Sequence, residues 1–243
     1  MNLAIFDIDG TLTETDHVDD ICFLQALAGA HEITDISTDW AAYPHTTDSA
    51  ILSHIFLERL NREPDEAELQ KFKNCFVKSL EEYRAKDSSL FSEIVGASSM
   101  LQHLNQETEW RVAIASGAWR VSGELKLGVA GIDVNDYPAS FADDGLSREE
   151  ILRSTIAKAK KRYQQNGFVR IVSIGDGLWD VRTARNLNFP FLGRGSGARA
   201  EKLRRAGATH VLQDFSDYGK LMRCLEEADI PKAETNGSPP MVS

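Results

Sequence analysis

The sequence predicts an α/β fold: a parallel sheet with helices on both faces and a helical domain inserted after the first strand. Three observations carry that expectation. From Arg111 to Leu212, short apolar runs alternate with amphipathic helical stretches, the pattern that builds right-handed strand–helix–strand crossovers. Between Asp16 and Arg84 the apolar spacing is helical and no segment reads as a strand. The apolar runs end in Asp, Ser or Gly, at the carboxyl ends where open α/β sheets place their ligands.

The elements follow in order. Leu3-Ala4-Ile5-Phe6 is a continuous apolar strand, the kind that is covered on both faces. Asp7-Ile8-Asp9-Gly10-Thr11 comes next. Two carboxylates this close repel each other and are costly to desolvate. They ask for a compensating charge, and a divalent cation suits such hard oxygen donors. The alternative is a polar Asp-Gly turn. Helices are expected through Val18, Ile21, Cys22, Leu24, Gln25 and Leu27 to about Gly29, then over Ser49–Leu60. A third opens at Pro64-Asp65-Glu66, with Pro64 near its first turn, and runs through Leu69, Phe72, Phe76, Leu80 and Tyr83. Strands resume at Arg111–Ala115, Val169–Ile174, Phe189–Leu192 and His210–Leu212. Helices separate them at Ala97–Leu104, Ala118–Leu127, Arg148–Tyr163, Trp179–Asn186 and Ala198–Ala206. The core is thus expected at 1–15 and 87–230, as a Rossmann-like sheet, and the insert at 16–86. Thr13–Asp16 and Ala85–Ser89 are the natural hinges. The stretch 231–243, rich in Pro, Gly, Ser and Asn, reads as a disordered tail.

A chain of 243 residues can bury a full core. Its net charge of −10 argues against nucleic acid or an anionic membrane as partner. No apolar stretch approaches the roughly 18 residues of a membrane span. The chain enters a strand at once, without a signal peptide. Cys22, Cys75 and Cys224 are scattered and lack metal-ligand spacing, as in a reduced, cytoplasmic protein. A monomer or homodimer is expected.

Two later strand ends repeat the polar theme. Ser116-Gly117 can offer a hydroxyl and a backbone N–H to a phosphoryl oxygen, with a helix start near Ala118 adding its positive end; Ser116 could equally be an N-cap. In Gly175-Asp176-Gly177-Leu178-Trp179-Asp180 the carboxylates lie four apart and share one side if a helix follows. Ser147 reads as an N-cap, placing Arg148 in a first helical turn 28 residues before Asp176.

Asp7-Ile8-Asp9-Gly10-Thr11 resembles motif I of the haloacid dehalogenase-like superfamily, in its phosphatase branch. Ser116-Gly117 is similar to its motif II, and Gly175-Asp176 through Asp180 to its Gly-Asp-x-x-x-Asp motif. The layout resembles that of phosphoglycolate phosphatases, and the likeness covers most of residues 1–222. It implies that Asp7 is the nucleophile and Asp9 the general acid/base. It implies Mg²⁺ held by Asp7, the backbone carbonyl of Asp9, and Asp176, with Asp180 acting through water or a neighbour. It implies phosphate binding by Ser116 and Gly117, with Gly10 and Thr11 turning loop amides toward the phosphate. The family also needs a cation, often in a Lys-Pro pair that this chain lacks. Arg148 is the first candidate; Lys126 is the second, expected on a surface helix. The insert would be a C1-type cap.

The implied reaction is hydrolysis of a small phosphorylated metabolite through an aspartyl-phosphate. A phosphomutase and a catalytically silent phosphometabolite binder are the alternatives. A phosphonate hydrolase would need a cap lysine such as Lys71, Lys73 or Lys78. In the insert, His45, Thr47 and Asp48 are expected to reach the leaving group, although Thr47 or Asp48 could simply cap a helix. His17 and Asp20 are further candidates.

Overall fold

A computed structural model describes residues 1–232. In chain order the elements are β1 (Asn2–Phe6), α1 (Asp16–His31), α2 (Asp48–Leu60), α3 (Glu66–Lys86), α4 (Ala97–Glu107), β2 (Trp110–Ala115), α5 (Arg120–Val129), β3 (Ala139–Ser140), α6 (Arg148–Arg162), β4 (Ile171–Gly175), α7 (Leu178–Leu187), β5 (Phe191–Arg194), α8 (Gly197–Arg205), β6 (His210–Leu212) and α9 (Tyr218–Glu227). The strands form one parallel six-stranded sheet in the order β3-β2-β1-β4-β5-β6. The expected α/β fold is therefore present.

Strand periodicity explains the layers. Side chains alternate across β1. Leu3 and Ile5 pack with Ile151, Leu152 and Ala159 of α6 on one face. Ala4 and Phe6 pack with Met100, Leu101, Leu127 and Leu221, from α4, α5 and α9, on the other. The unbroken apolar run is thus covered twice. From β1 the chain steps outward through β2 to β3; from β4 it steps the other way through β5 to β6. The reversal between β1 and β4 opens a crevice at their carboxyl ends. The two edge strands, β3 and β6, are very short, which limits edge-to-edge pairing.

Helices α1 to α3 form the insert. Val18, Cys22, Leu27, Leu52, Phe56, Phe72 and Phe76 make its own apolar core. That core does not end at the insert. Trp119, fully buried just before α5, lies 5.4 Å from Phe72 and 6.2 Å from Phe76 between ring centroids.

Pro64 lies near the first turn of α3, as expected: Asp65 is the N-cap, accepting from Glu68 N at 2.8 Å while Glu68 Oε2 accepts from Asp65 N at 3.0 Å. Other local expectations shift. The helix after Ser116 begins at Arg120, two residues later than its sequence suggests. β3 is too short to leave a pattern, and α9 has no counterpart among the helices expected from the sequence. Of the predicted tail, Pro231 and Lys232 are ordered, their carbonyls accepting from Arg185; residues 233–243 lie outside the described residues.

Candidate active site

The residues that follow β1 and β4 meet at the crevice. Asp7 follows β1, and Asp176 and Asp180 follow β4. One carboxylate oxygen from each lies within 4.8 Å of the other two. All three side chains are buried, Asp7 to 6 % exposure. A sharp turn makes this approach possible. The Ile8 carbonyl accepts the amides of Thr11, Leu12 and Thr13, and Gly10 N donates to Thr13 O at 2.9 Å. Gly10 sits at φ +67°, and a Cβ there would fall 2.1 Å from Asp176 Oδ2. Glycine alone meets both demands. The Asp9 carbonyl is left without a hydrogen bond among the described residues.

Arg148 supplies charge to this cluster. Ser147 caps α6 in a capping box with Glu150, so the first residue of the helix projects into the crevice. Arg148 Nη1 donates to Asp7 Oδ2 at 3.1 Å and to Asp180 Oδ1 at 3.0 Å; Nε donates to Thr46 O of the insert at 2.9 Å. Burial opposes the guanidinium charge, but Asp7 and Asp180 outweigh it and raise its pKa. Asp7 Oδ1 is buried with no partner among the described residues. Burial, then Asp180, pushes the Asp176 carboxyl well above its ordinary range, although Arg199 Nη1 stands 2.9 Å from Oδ2. Burial pushes Asp180 up to about 7. Raised carboxyls, an orphaned oxygen, a free carbonyl and oxygen-only donors together fit a divalent cation.

A second ionic group abuts the first. Asp9 Oδ2 accepts from Lys126 Nζ at 2.6 Å, and Oδ1 from Thr15 Oγ1 at 2.5 Å. Lys126 also donates to Asp19 Oδ1 of the insert at 2.7 Å. Burial would lower the Lys126 ammonium, but Asp19, Asp9 and Asp48 outweigh it and raise its pKa.

The loop after β2 completes the site. Gly117 N–H donates to nothing among the described residues. A Cβ at Gly117 would lie 2.6 Å from Thr46 O and 2.7 Å from Arg148 Nη2, so glycine lets loop, arginine and insert converge. A cavity of about 420 Å³ joins these parts, with Asp7, Asp9, Gly117, Arg148 and Asp176 on the sheet side and Asp20, Trp40 and Asp48 on the insert side. An anion held by Gly117 N–H and Arg148 would lie against the Asp7 carboxylate.

A family model for haloacid dehalogenase-like hydrolases matches residues 1–188. The chain belongs to this family. No curated protein sequence matches the chain significantly. Among solved structures, a hydrolase from Pseudomonas syringae is 18% identical with a TM-score of 0.71, the match covering 94% of this chain and 100% of that one. CbbY from Rhodobacter sphaeroides, a mutant in complex with xylulose-(1,5)bisphosphate, is 18% identical with a TM-score of 0.66, covering 89% and 96%. A predicted phosphoglycolate phosphatase from Haemophilus somnus is 14% identical with a TM-score of 0.57, covering 90% and 97%. These likenesses carry the fold.

The structure brings Asp7, Asp9, Gly117, Arg148, Asp176 and Asp48 to one cavity. Asp180 stands just behind it, bonded to Arg148 and to Gly177 N. Ser116 is buried and accepts from Ala118 N at 3.2 Å. The positive end of α5 is not open, because Trp119 N donates to Asp48 Oδ2 at 2.9 Å and Arg120 N to Asp143 Oδ2 at 2.6 Å. Gly10 and Thr11 amides do not face the crevice either; both are used by the turn itself, and the Thr11 hydroxyl is buried without a partner among the described residues. Thr47 caps α2 and donates to Leu146 O at 2.8 Å, so its hydroxyl is committed. His45 and His17 are exposed and do not line the cavity. The three lysines considered for a Schiff base are also elsewhere: Lys71 donates to Ala30 O, Lys73 to Asp143, and Lys78 pairs with Glu82 at the surface.

The main correction concerns Lys126. It is fully buried rather than on a surface helix, and it meets Asp9 instead of Asp7. The signal was present: Ser122, Gly123, Lys126 and Leu127 share the buried face of α5, and two small residues one turn earlier leave room for a long side chain. Arg199 and Asp19 were missed because nothing near them in sequence marks their approach.

Proposed function

We propose that the chain is a phosphoric monoester hydrolase whose nucleophile is Asp7. The observation that carries this reading is the buried, unpartnered Asp7 Oδ1 beside Asp176 and Asp180, with Arg148 on the other oxygen. The insert, residues 16–86, acts as a cap that screens the crevice from water. Asp7 Oδ1, the Asp9 carbonyl and Asp176 would hold Mg²⁺, with Asp180 behind them. When bound, Mg²⁺ neutralises the repulsion between carboxylate and phosphate and polarises a phosphoryl oxygen.

The chain's own groups do the rest. Gly117 N–H and Arg148 receive phosphoryl oxygens and stabilise the charge that builds on them. Asp7 attacks phosphorus in line, the ester bond to the alcohol breaks, and an aspartyl-phosphate forms. Asp9 gives a proton to the leaving oxygen, then takes one from the water that hydrolyses the intermediate. To do so it must exchange one of its two present partners, Lys126 or Thr15. None of the insert lysines considered for a Schiff base lines the cavity, which leaves the phosphonate reading without support.

The test is release of inorganic phosphate from a panel of esters, with Mg²⁺ and with EDTA. Release that needs both Mg²⁺ and Asp7 is expected, and Asp7→Asn should abolish it while leaving the circular dichroism spectrum unchanged. Normal turnover by Asp7→Asn would refute the mechanism. A phosphorylated Asp7 that passes its group to a sugar instead of water would make the chain a mutase.

A further inference from the structure

The cations that line the cavity, Arg148, Arg199 and Lys202, all come from the sheet domain, where Arg148 and Arg199 already pair with Asp7, Asp180 and Asp176. The charged groups that the insert brings to the cavity are carboxylates. Some of these are neutralised internally: Asp16 by Arg199 and Asp19 by Lys126. Asp20, Asp39 and Asp48 have no cationic partner within salt-bridge distance among the described residues.

Asp48 is the most informative of the three. It is 8 % exposed and faces the cavity. Its Oδ2 accepts from Trp119 N, but its Oδ1 accepts no hydrogen bond among the described residues. That oxygen is not sealed in the interior, so it stays open to a group in the cavity. Its backbone N–H donates to Gly117 O at 2.8 Å, so Asp48 stands next to the loop that receives the phosphoryl group. Asp20 holds Trp40 in place, accepting from the indole N–H at 2.8 Å, and Trp40 packs edge-on against Phe23 at 5.6 Å. Unpaired carboxylates beside a fixed indole are the groups that bind an organic ammonium.

Resting on the phosphatase reading, we propose that the substrate is a zwitterionic phosphate monoester, whose alcohol carries an ammonium group a few atoms from the phosphorus. The phosphoryl end lies against Asp7, Gly117 and Arg148. The ammonium lies against Asp48, Asp20 and Asp39, over Trp40. The phosphoryl group passes from the ester oxygen to Asp7 and then to water. The products are the amino alcohol and inorganic phosphate, with the ammonium unchanged throughout. An ester whose far end is a carboxylate or a second phosphate meets the same carboxylates as repulsion.

The experiment compares kcat/KM, with Mg²⁺, for 2-aminoethyl phosphate and choline phosphate against their uncharged shape-mates, propyl phosphate and 3,3-dimethylbutyl phosphate. Carboxymethyl phosphate is the anionic member, and p-nitrophenyl phosphate gauges hydrolysis itself. A preference for the ammonium esters of at least about tenfold is expected, from charge pairing in a partly desolvated site, with carboxymethyl phosphate the poorest. Asp48→Asn and Asp39→Asn should each lower the ratio of ammonium ester to shape-mate; Asp39 is an exposed loop residue, so its variant will fold. Hydrolysis of p-nitrophenyl phosphate with no ammonium preference overturns this inference and leaves the phosphatase reading intact. An ammonium preference that both variants retain also overturns it. No phosphate from any ester overturns the phosphatase reading, and this inference with it.

Discussion

At the residue scale, the site depends on how few cations serve many buried carboxylates. Arg148 touches both Asp7 and Asp180 through one nitrogen, so removing it leaves two buried acids uncompensated. Arg148→Ala is expected to lower kcat/KM about 10²–10³-fold, the usual loss on deleting a preorganised donor to transition-state charge. Arg148→Lys should recover only part, because an ammonium keeps the charge but not the fork. Equal activity for all three proteins would show that Arg148 is structural. The cysteines behave oppositely to the site. Burial pushes the Cys22 thiol up to about 11, so the neutral, unreactive form persists at neutral pH. A raised thiol pKa favours the folded state below its ordinary value of 9, and that contribution is lost as pH rises through 11. Native protein at pH 8 should therefore react with a disulfide reagent at Cys75 alone, with Cys22 and Cys224 titrating only after unfolding. Rapid labelling of Cys22 in the native state would contradict its burial.

At the element scale, turns set the chemistry. The loop after β1 folds back so that a single carbonyl, that of Ile8, collects three amides. Gly10 is its pivot. Gly10→Ala must adopt a left-handed conformation, at about 1–2 kcal/mol, and must also push Asp176 away from a 2.1 Å overlap. The expected result is a modest fall in Tm without Mg²⁺ and loss of the extra stability that Mg²⁺ gives, read from melts with and without the ion. An unchanged Mg²⁺ shift would mean that Asp176 is not a ligand. The helix starts were legible where a side chain caps its own helix, as Ser147 does for α6. They were misread where the cap comes from far away: α5 is capped by Asp48 and Asp143, which no local pattern announces.

At the scale of the whole molecule, the insert and the sheet domain share one interior. Trp119 belongs to the sheet domain by sequence but is buried among Phe72 and Phe76 of the insert, and its indole N–H donates to Ser49 Oγ at 2.7 Å. The Lys126–Asp19 pair and the Arg148–Thr46 hydrogen bond cross the same boundary. Urea unfolding is accordingly expected to be one cooperative transition, and Trp119→Ala should cost about 3–5 kcal/mol. Two separated transitions in the wild-type protein would show that insert and sheet fold independently. An insert joined in this way cannot swing away from the sheet without exposing that tryptophan.

By itself the sequence determined the fold class, the identity of the strands at the crevice, and the acidic cluster. Each rests on local signals: β1 is an unbroken apolar run, Asp7 and Asp176 stand at strand ends where a parallel sheet must gather them, and Asp180 follows one turn into the next helix. Arg148 was also legible, because a capping box fixes its place in the first turn. Tertiary structure alone decided the rest. Lys126 reads as one more charge on an amphipathic helix until Asp9 and Asp19 are brought to it over 117 and 107 residues. Of His45, Thr47 and Asp48, only Asp48 reaches the cavity, its carboxylate held by the Trp119 amide, while Thr47 is buried against Leu146 O. The physical reason is the same throughout. A strand end or a helix cap is settled within a few residues by sterics and hydrogen bonding, whereas a buried charge is tolerable only beside partners that the fold supplies.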